Sequence, residues 1–141
     1  MANLSLAQAN HIINEALAAS QRAGYKPMAV VVIDAHGNLK AVQREDGASM
    51  FRVDVAMGKA WASVAMGASS RALVKRAAEN PNFFTALAST GQGRFIPQTG
   101  AVLIKASDGE ILGAVGASGG TGDEDEAICL HGVQAVGLNA G

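Results

Sequence analysis

Two stretches of this chain repeat one pattern at a constant offset, and this constrains its fold more than any other feature. Residues 30–32 (VVV) align with residues 102–104 (VLI), Gly37 with Gly109, Leu39 with Ile111 and Gly47 with Gly119. Each copy holds a β-branched run, a turn built from Asp and Gly, and a second run that returns, which is the signature of a hairpin. Each copy then enters a helix. Two copies are too few for a solenoid. The chain is therefore read as two ββα units that build one antiparallel sheet with helices packed on it, an α+β architecture. Its 141 residues make one domain, residues 1–141.

The remaining elements follow from caps and breakers. Ser5 followed by Gln8 fits a capping box, and Leu6, Ala9, Ile13, Ala16 and Leu17 recur on one face until Gly24 and Pro27. This predicts an amphipathic helix over about residues 6–23. Strands are expected at 28–33 and 38–44, around the turn at 34–37. From 48 to about 66 only Gly58 interrupts a segment whose apolar residues fall on several faces, so this helix is expected to be buried on more than one side. A short charged helix at 70–78 follows, then Asn80-Pro81 and another turn or two at 82–88. A loop at 89–97, strands near 100–106 and 110–117, and a helix from Asp123 to about Leu138 complete the chain.

Composition excludes several function classes. Eleven Lys and Arg against twelve Asp and Glu leave a net charge of −1 with no basic block, so nucleic acid is not an expected partner. No apolar run approaches the roughly 20 residues of a spanning helix, so no membrane role is expected. The single Cys129 can make neither an internal disulfide nor a multi-thiolate metal site. The first residues lack a basic and then uninterrupted apolar leader, which makes the cytoplasm the expected compartment. Seventeen Gly and 28 Ala favour close helix approach.

The segment from Gly113 to Glu126 is the most distinctive, a strand that ends in glycines and opens an acidic helix start. Amides at Gly119, Gly120, Thr121 and Gly122 can converge on a ligand. The four carboxylates from Asp123 to Glu126 repel phosphate, and the parallel setting of a dinucleotide site is missing. Two readings stay open: glycines that only turn the chain with acids capping the helix, or a pocket in which amides and one carboxylate, best Asp125, face a small ligand. At the matching place in the first unit stands Arg44-Glu45-Asp46-Gly47, with Lys59 beyond it on the buried helix. Lys59 needs a partner there, either a structural carboxylate or a ligand's carboxylate. Asp46 is a turn or cap residue, or an acid. Of the three histidines, His11 lies off the apolar stripe on the face of Glu15, His36 is in a turn, and His131 sits beside Ala127 and Ala135. No histidine pair has zinc-binding spacing and no nucleophile motif is present.

VVVIDAHGNLKAVQREDGA, the helix carrying Lys59-Ala60, and GEILGAVGASGGTGDEDEA with its Ala/Gly-rich final helix together resemble the GlcG/HbpS-like group, which also forms the C-terminal domain of PduO-type proteins. The match spans nearly the whole chain. The resemblance implies a five-stranded antiparallel sheet flanked by helices. It further implies oligomers built from dimers and, in some members, binding of heme or a corrinoid-related ligand. Heme ligation in the group is associated with a His on the first helix in some members and a hydroxyl residue in others. His11 occupies the first-helix position and is the candidate heme-iron ligand. Glu45 stands where many relatives have Met, and residues 99–102 replace the usual G-G-x-P stretch. The added carboxylate makes that corner more polar, which suits a small polar metabolite.

Two functions are carried forward. One is a ligand-binding homo-oligomer that holds heme or a related tetrapyrrole through His11, with Gly119, Gly120, Thr121 and Gly122 as further ligand contacts. The alternative is a cofactor-independent isomerase, lyase or hydrolase of small-molecule catabolism. There Lys59 would hold a substrate carboxylate, Asp46 or Asp125 would move a proton, and the glycine amides would stabilise developing charge. Surplus apolar surface on the 48–66 helix and two faces on the last helix predict at least a dimer, with Ala127, His131 and Ala135 near the contact.

Overall fold

The computed structural model describes residues 3–141. Ser5 caps α1 (Leu6–Ala23): its hydroxyl accepts from the Gln8 N–H while the Gln8 side chain accepts from the Ser5 N–H, both at 3.0 Å. Ala9, Ile12, Ile13, Ala16 and Leu17 form the buried stripe of α1. Leu6, expected in that stripe, is exposed at the first helical position. The first hairpin is β1 (Ala29–Asp34) and β2 (Leu39–Arg44), followed by α2 (Phe51–Met66), α3 (Ser70–Glu79) and α4 (Pro81–Thr90). The second is β3 (Ala101–Lys105) and β4 (Ile111–Ser118), followed by α5 (Gly122–Ala135) and β5 (Asn139–Ala140).

The strands form one antiparallel five-stranded sheet in the order β2-β1-β4-β3-β5. Helices cover both of its faces, which is why its inner strands read as apolar runs and not as alternation. On one face Val30, Val32, Val102, Ile104 and Val115 pack with Ile12, Ile13, Ile128 and Val133 of α1 and α5. On the other, Val31, Ile33, Leu103 and Ala114 pack with Ala56 and Ala60 of α2. The fold is therefore the expected α+β domain with two hairpins and flanking helices.

Three details differ from the sequence reading. The last helix stops at Ala135, because Gly137 at φ 77° turns the chain and lets residues 139–140 pair with Ile104 and Lys105 as the edge strand β5. Pro81 does not break a helix but starts one: at the first turn its missing N–H has no helical partner to lose, and α4 runs ten residues. The outer side of α2 is covered by the chain itself. Ala62 joins Leu73 of α3, Phe84 of α4 and Phe95 in a small separate core, so much of the surface assigned to a second copy is hidden within one.

Candidate functional site

Where β4 leaves the sheet, residues 119–121 turn the chain into α5. Thr121 caps that helix by accepting from the Glu124 N–H, and Glu124 returns the bond to the Thr121 N–H. The register of α5 then points Asp125 back toward the sheet end, where it is 2% exposed. Its Oδ1 accepts from the Gly120 N–H at 2.9 Å and its Oδ2 from Lys59 Nζ at 3.0 Å. Lys59, 6% exposed, also donates to the Ala117 carbonyl at 3.0 Å. The ion pair thus joins α2 to α5 around the end of the sheet, linking layers on its opposite faces.

The neighbouring backbone is shaped to admit this pair. Gly100 has φ 137°, and a Cβ there would lie 2.6 Å from Lys59 Nζ and 3.0 Å from the Asp125 Cβ, so only glycine leaves room for the ammonium. Ser70, buried at the start of α3, accepts from the Gly100 and Ala101 N–H groups at 3.0 and 2.8 Å and donates to the Ala101 carbonyl. Behind the pair, Cys129 is fully buried, and burial first and the Asp125 carboxylate second push its thiol pKa well above the ordinary range. It is not a nucleophile at neutral pH.

In front of the pair lies an open cleft of about 460 Å³, with Arg52, Lys59, Gln98, Thr99, Thr121 and Asp125 in its walls. Arg52 donates to the Ser118 hydroxyl at 3.4 Å and makes no ion pair with a described carboxylate. On the outer rim Arg71 Nε donates to both carboxylate oxygens of Glu126 at 3.1 and 3.0 Å, and its Nη2 reaches Asp123.

Of the residues singled out in the sequence, Lys59, Asp125, Gly120, Thr121 and Gly122 share this cleft. Gly119 lines the adjoining hollow with Gly120, Thr121 and Arg52. Asp46 does not join them. It is exposed and lines a separate hollow with Tyr25, Arg44 and Glu45. Glu45 is tied to structure instead, accepting from the Met28 N–H at 2.9 Å and from Gln21 at 3.0 Å. His11 is exposed on α1. His131 stands 3.4 Å from Glu15 and 3.5 Å from Arg22, at the seam between α1 and α5 of the same chain, while Ala127 and Ala135 are exposed. The sequence reading passed over Arg52 and Ser70. Arg52 had a usable signal, since seven residues before Lys59 is two helical turns back on the same face.

The model of the family described as "Haem degrading protein HbpS-like" matches residues 4–134. The solved structure of the PduOC:heme complex is similar at a TM-score of 0.87 with 26% identity, covering 98% of this chain and 98% of that one. A double mutant of Streptomyces reticuli HbpS is similar at a TM-score of 0.83 with 26% identity, covering 96% of this chain and 88% of that one. Klebsiella pneumoniae protein ORFY, at 22% identity and a TM-score of 0.86 over 97% and 93% of the two chains, shares the fold. No curated protein matches the chain. No helix among the described residues is long and apolar enough to cross a membrane.

Proposed function

Because the chain belongs to the HbpS-like family, we propose that it is a small-ligand-binding protein that holds heme or a related tetrapyrrole, with His11 as an axial ligand and a second copy completing the pocket. The observation that carries this reading is the likeness to the PduOC:heme complex over 98% of both chains. The donor chemistry of α1 fits the group. His11 is exposed and has no hydrogen-bond partner among the described residues, so an imidazole nitrogen is free for iron, whereas His131 is engaged by Glu15 and Arg22. Heme bound there would supply an iron centre, and His11 would fix its position and set its ligand field.

One chain offers no cover for the macrocycle around His11. The hollows described are lined elsewhere, and the neighbours of His11 one turn away on α1 are Ala7 and Glu15. A porphyrin exposes two large apolar faces, so the second wall comes from another copy in this reading, which makes oligomerisation and heme affinity one question. Titration of hemin into the protein tests it. A sharpened Soret band that saturates at a fixed stoichiometry is expected, with His11→Ala weakening binding by about tenfold or more. A Soret band that does not change with protein, or that is the same in the variant, removes His11 from the role. Sedimentation velocity with and without hemin reads the second-copy part: a monomer in both conditions overturns it.

A further inference from the structure

We propose that the cleft between α2 and the start of α5 is a second ligand site, independent of His11, which binds a small 2-hydroxy or 2-oxo monocarboxylate with Arg52 and Lys59 as its cationic contacts. A buried ion pair is weak evidence of stability, since desolvation offsets most of its attraction. The Lys59–Asp125 pair is moreover unevenly filled. Each Asp125 oxygen accepts a bond, from Gly120 and from Lys59. The ammonium has three N–H donors, and two are used, on Asp125 and on the Ala117 carbonyl. The one with no partner belongs to a side chain in the wall of an open cleft.

Arg52 adds the second charge. It lines the same cleft two turns from Lys59, and its only bond is a long one to the Ser118 hydroxyl. A guanidinium in that state can turn its fork onto a carboxylate, the geometry it binds best. The remaining charges set the valence of the ligand. Asp123 and Asp125 stand in the cleft walls. Arg71 answers Asp123 and Lys59 answers Asp125, which leaves Arg52 as the uncompensated charge. A monoanion is matched there and a dianion such as phosphate is repelled. Gln98 and Thr99 supply neutral donors and acceptors for a hydroxyl or carbonyl next to the carboxylate. The volume of about 460 Å³ lies in the range of small-molecule sites, roughly 300–1,000 Å³.

The test is an amide chemical-shift titration of the isotope-labelled protein with pyruvate, L-lactate and inorganic phosphate. Saturable shifts at Gly119, Gly120, Thr121 and Gly122 are expected with pyruvate or L-lactate, and none with phosphate over the same concentrations. Arg52 is exposed, so Arg52→Gln keeps the fold, and it should weaken the carboxylate by about tenfold. His11→Ala should leave these shifts unchanged, which separates this site from heme. The proposal is overturned by an absence of saturable shifts with both acids, by equal affinity in Arg52→Gln, or by phosphate binding as tightly as the carboxylates. A hemin titration that fails leaves all three of those readouts intact.

Discussion

The two hairpin units differ most after their strands end. Within the sheet they are laid side by side in the same orientation, so Val30 and Val102 face one set of helices and Val31 and Leu103 the other. Beyond the strands, α2 packs on one face and α5 on the opposite one. The offset that aligns Gly37 with Gly109 also aligns Lys59 on α2 with His131 on α5. Lys59 is buried against Asp125, whereas His131 stays 41% exposed beside Glu15. One structural position has become the anchor of a cleft in one unit and a surface contact in the other. A duplicated backbone pattern therefore says little about where chemistry sits.

Substitution at that pair of positions gives the largest expected contrast. Lys59→Met leaves the Asp125 carboxylate buried without its countercharge, which should cost about 3–5 kcal/mol. His131→Ala breaks a partly exposed contact and should cost about 0–1 kcal/mol. Urea unfolding of both variants measures the difference. A Lys59→Met, Asp125→Leu double variant should recover most of the loss, because no charge is then stranded. Equal effects at Lys59 and His131 would show that the buried pair is not what joins α2 to α5.

The next contrast lies in the strands. Gly116 on β4 is the counterpart of Arg44 on β2 under the same offset. A Cβ at Gly116 would lie 2.3 Å from the Ala56 carbonyl oxygen, so α2 rests directly on the backbone of β4. Gly116→Val should lift the helix and cost about 1–3 kcal/mol or more. Arg44→Val, on an exposed edge strand, should stay within about 1 kcal/mol, the loss being chiefly its bond to the Ala48 carbonyl. Thermal melts of the two variants rank them.

These contrasts also mark what the sequence made legible. The hairpins could be read because β-branched runs and Gly-containing turns act locally, and α1 because its cap and stripe lie within a few residues of each other. The cleft was half legible: a lysine on an apolar helix demands a countercharge, and Asp125 was named for it. Asp46 was grouped with them because it holds the corresponding place in the first unit. Side-by-side units put both corners at the same end of the sheet but on β2 and β4, with β1 between them. Strand order is a long-range property that no local pattern encodes. Arg52 escaped notice because its role depends on the helix face that meets the cleft. The coverage of α2 was missed because Phe84 and Phe95 reach it from segments read as a short turn and a loop.

The smallest expected effect separates the two hairpin turns themselves. Their backbones are alike: the Gly37 N–H donates to the Asp34 carbonyl at 3.1 Å, and the Gly109 N–H to the Ala106 carbonyl at 2.9 Å. Their side chains are not. Asp34 Oδ1 accepts from the His36 and Asn38 N–H groups at 2.9 and 3.0 Å, whereas Asp108 accepts one bond, from Glu110. Partial burial pushes the Asp34 pKa up, but the two backbone bonds and the nearby His36 outweigh it and hold the carboxyl below its ordinary value of 3.8. A carboxyl with a lower pKa in the folded chain favours folding when ionised. Its contribution is full above the ordinary value and is lost as pH falls through the lowered one. Following the His36 and Asn38 amide shifts from neutral pH downward should show an inflection below 3.8, which Asp34→Asn abolishes. An inflection at or above the ordinary value, or one that persists in the variant, would mean that the first turn is held by its backbone alone, as closely as the second.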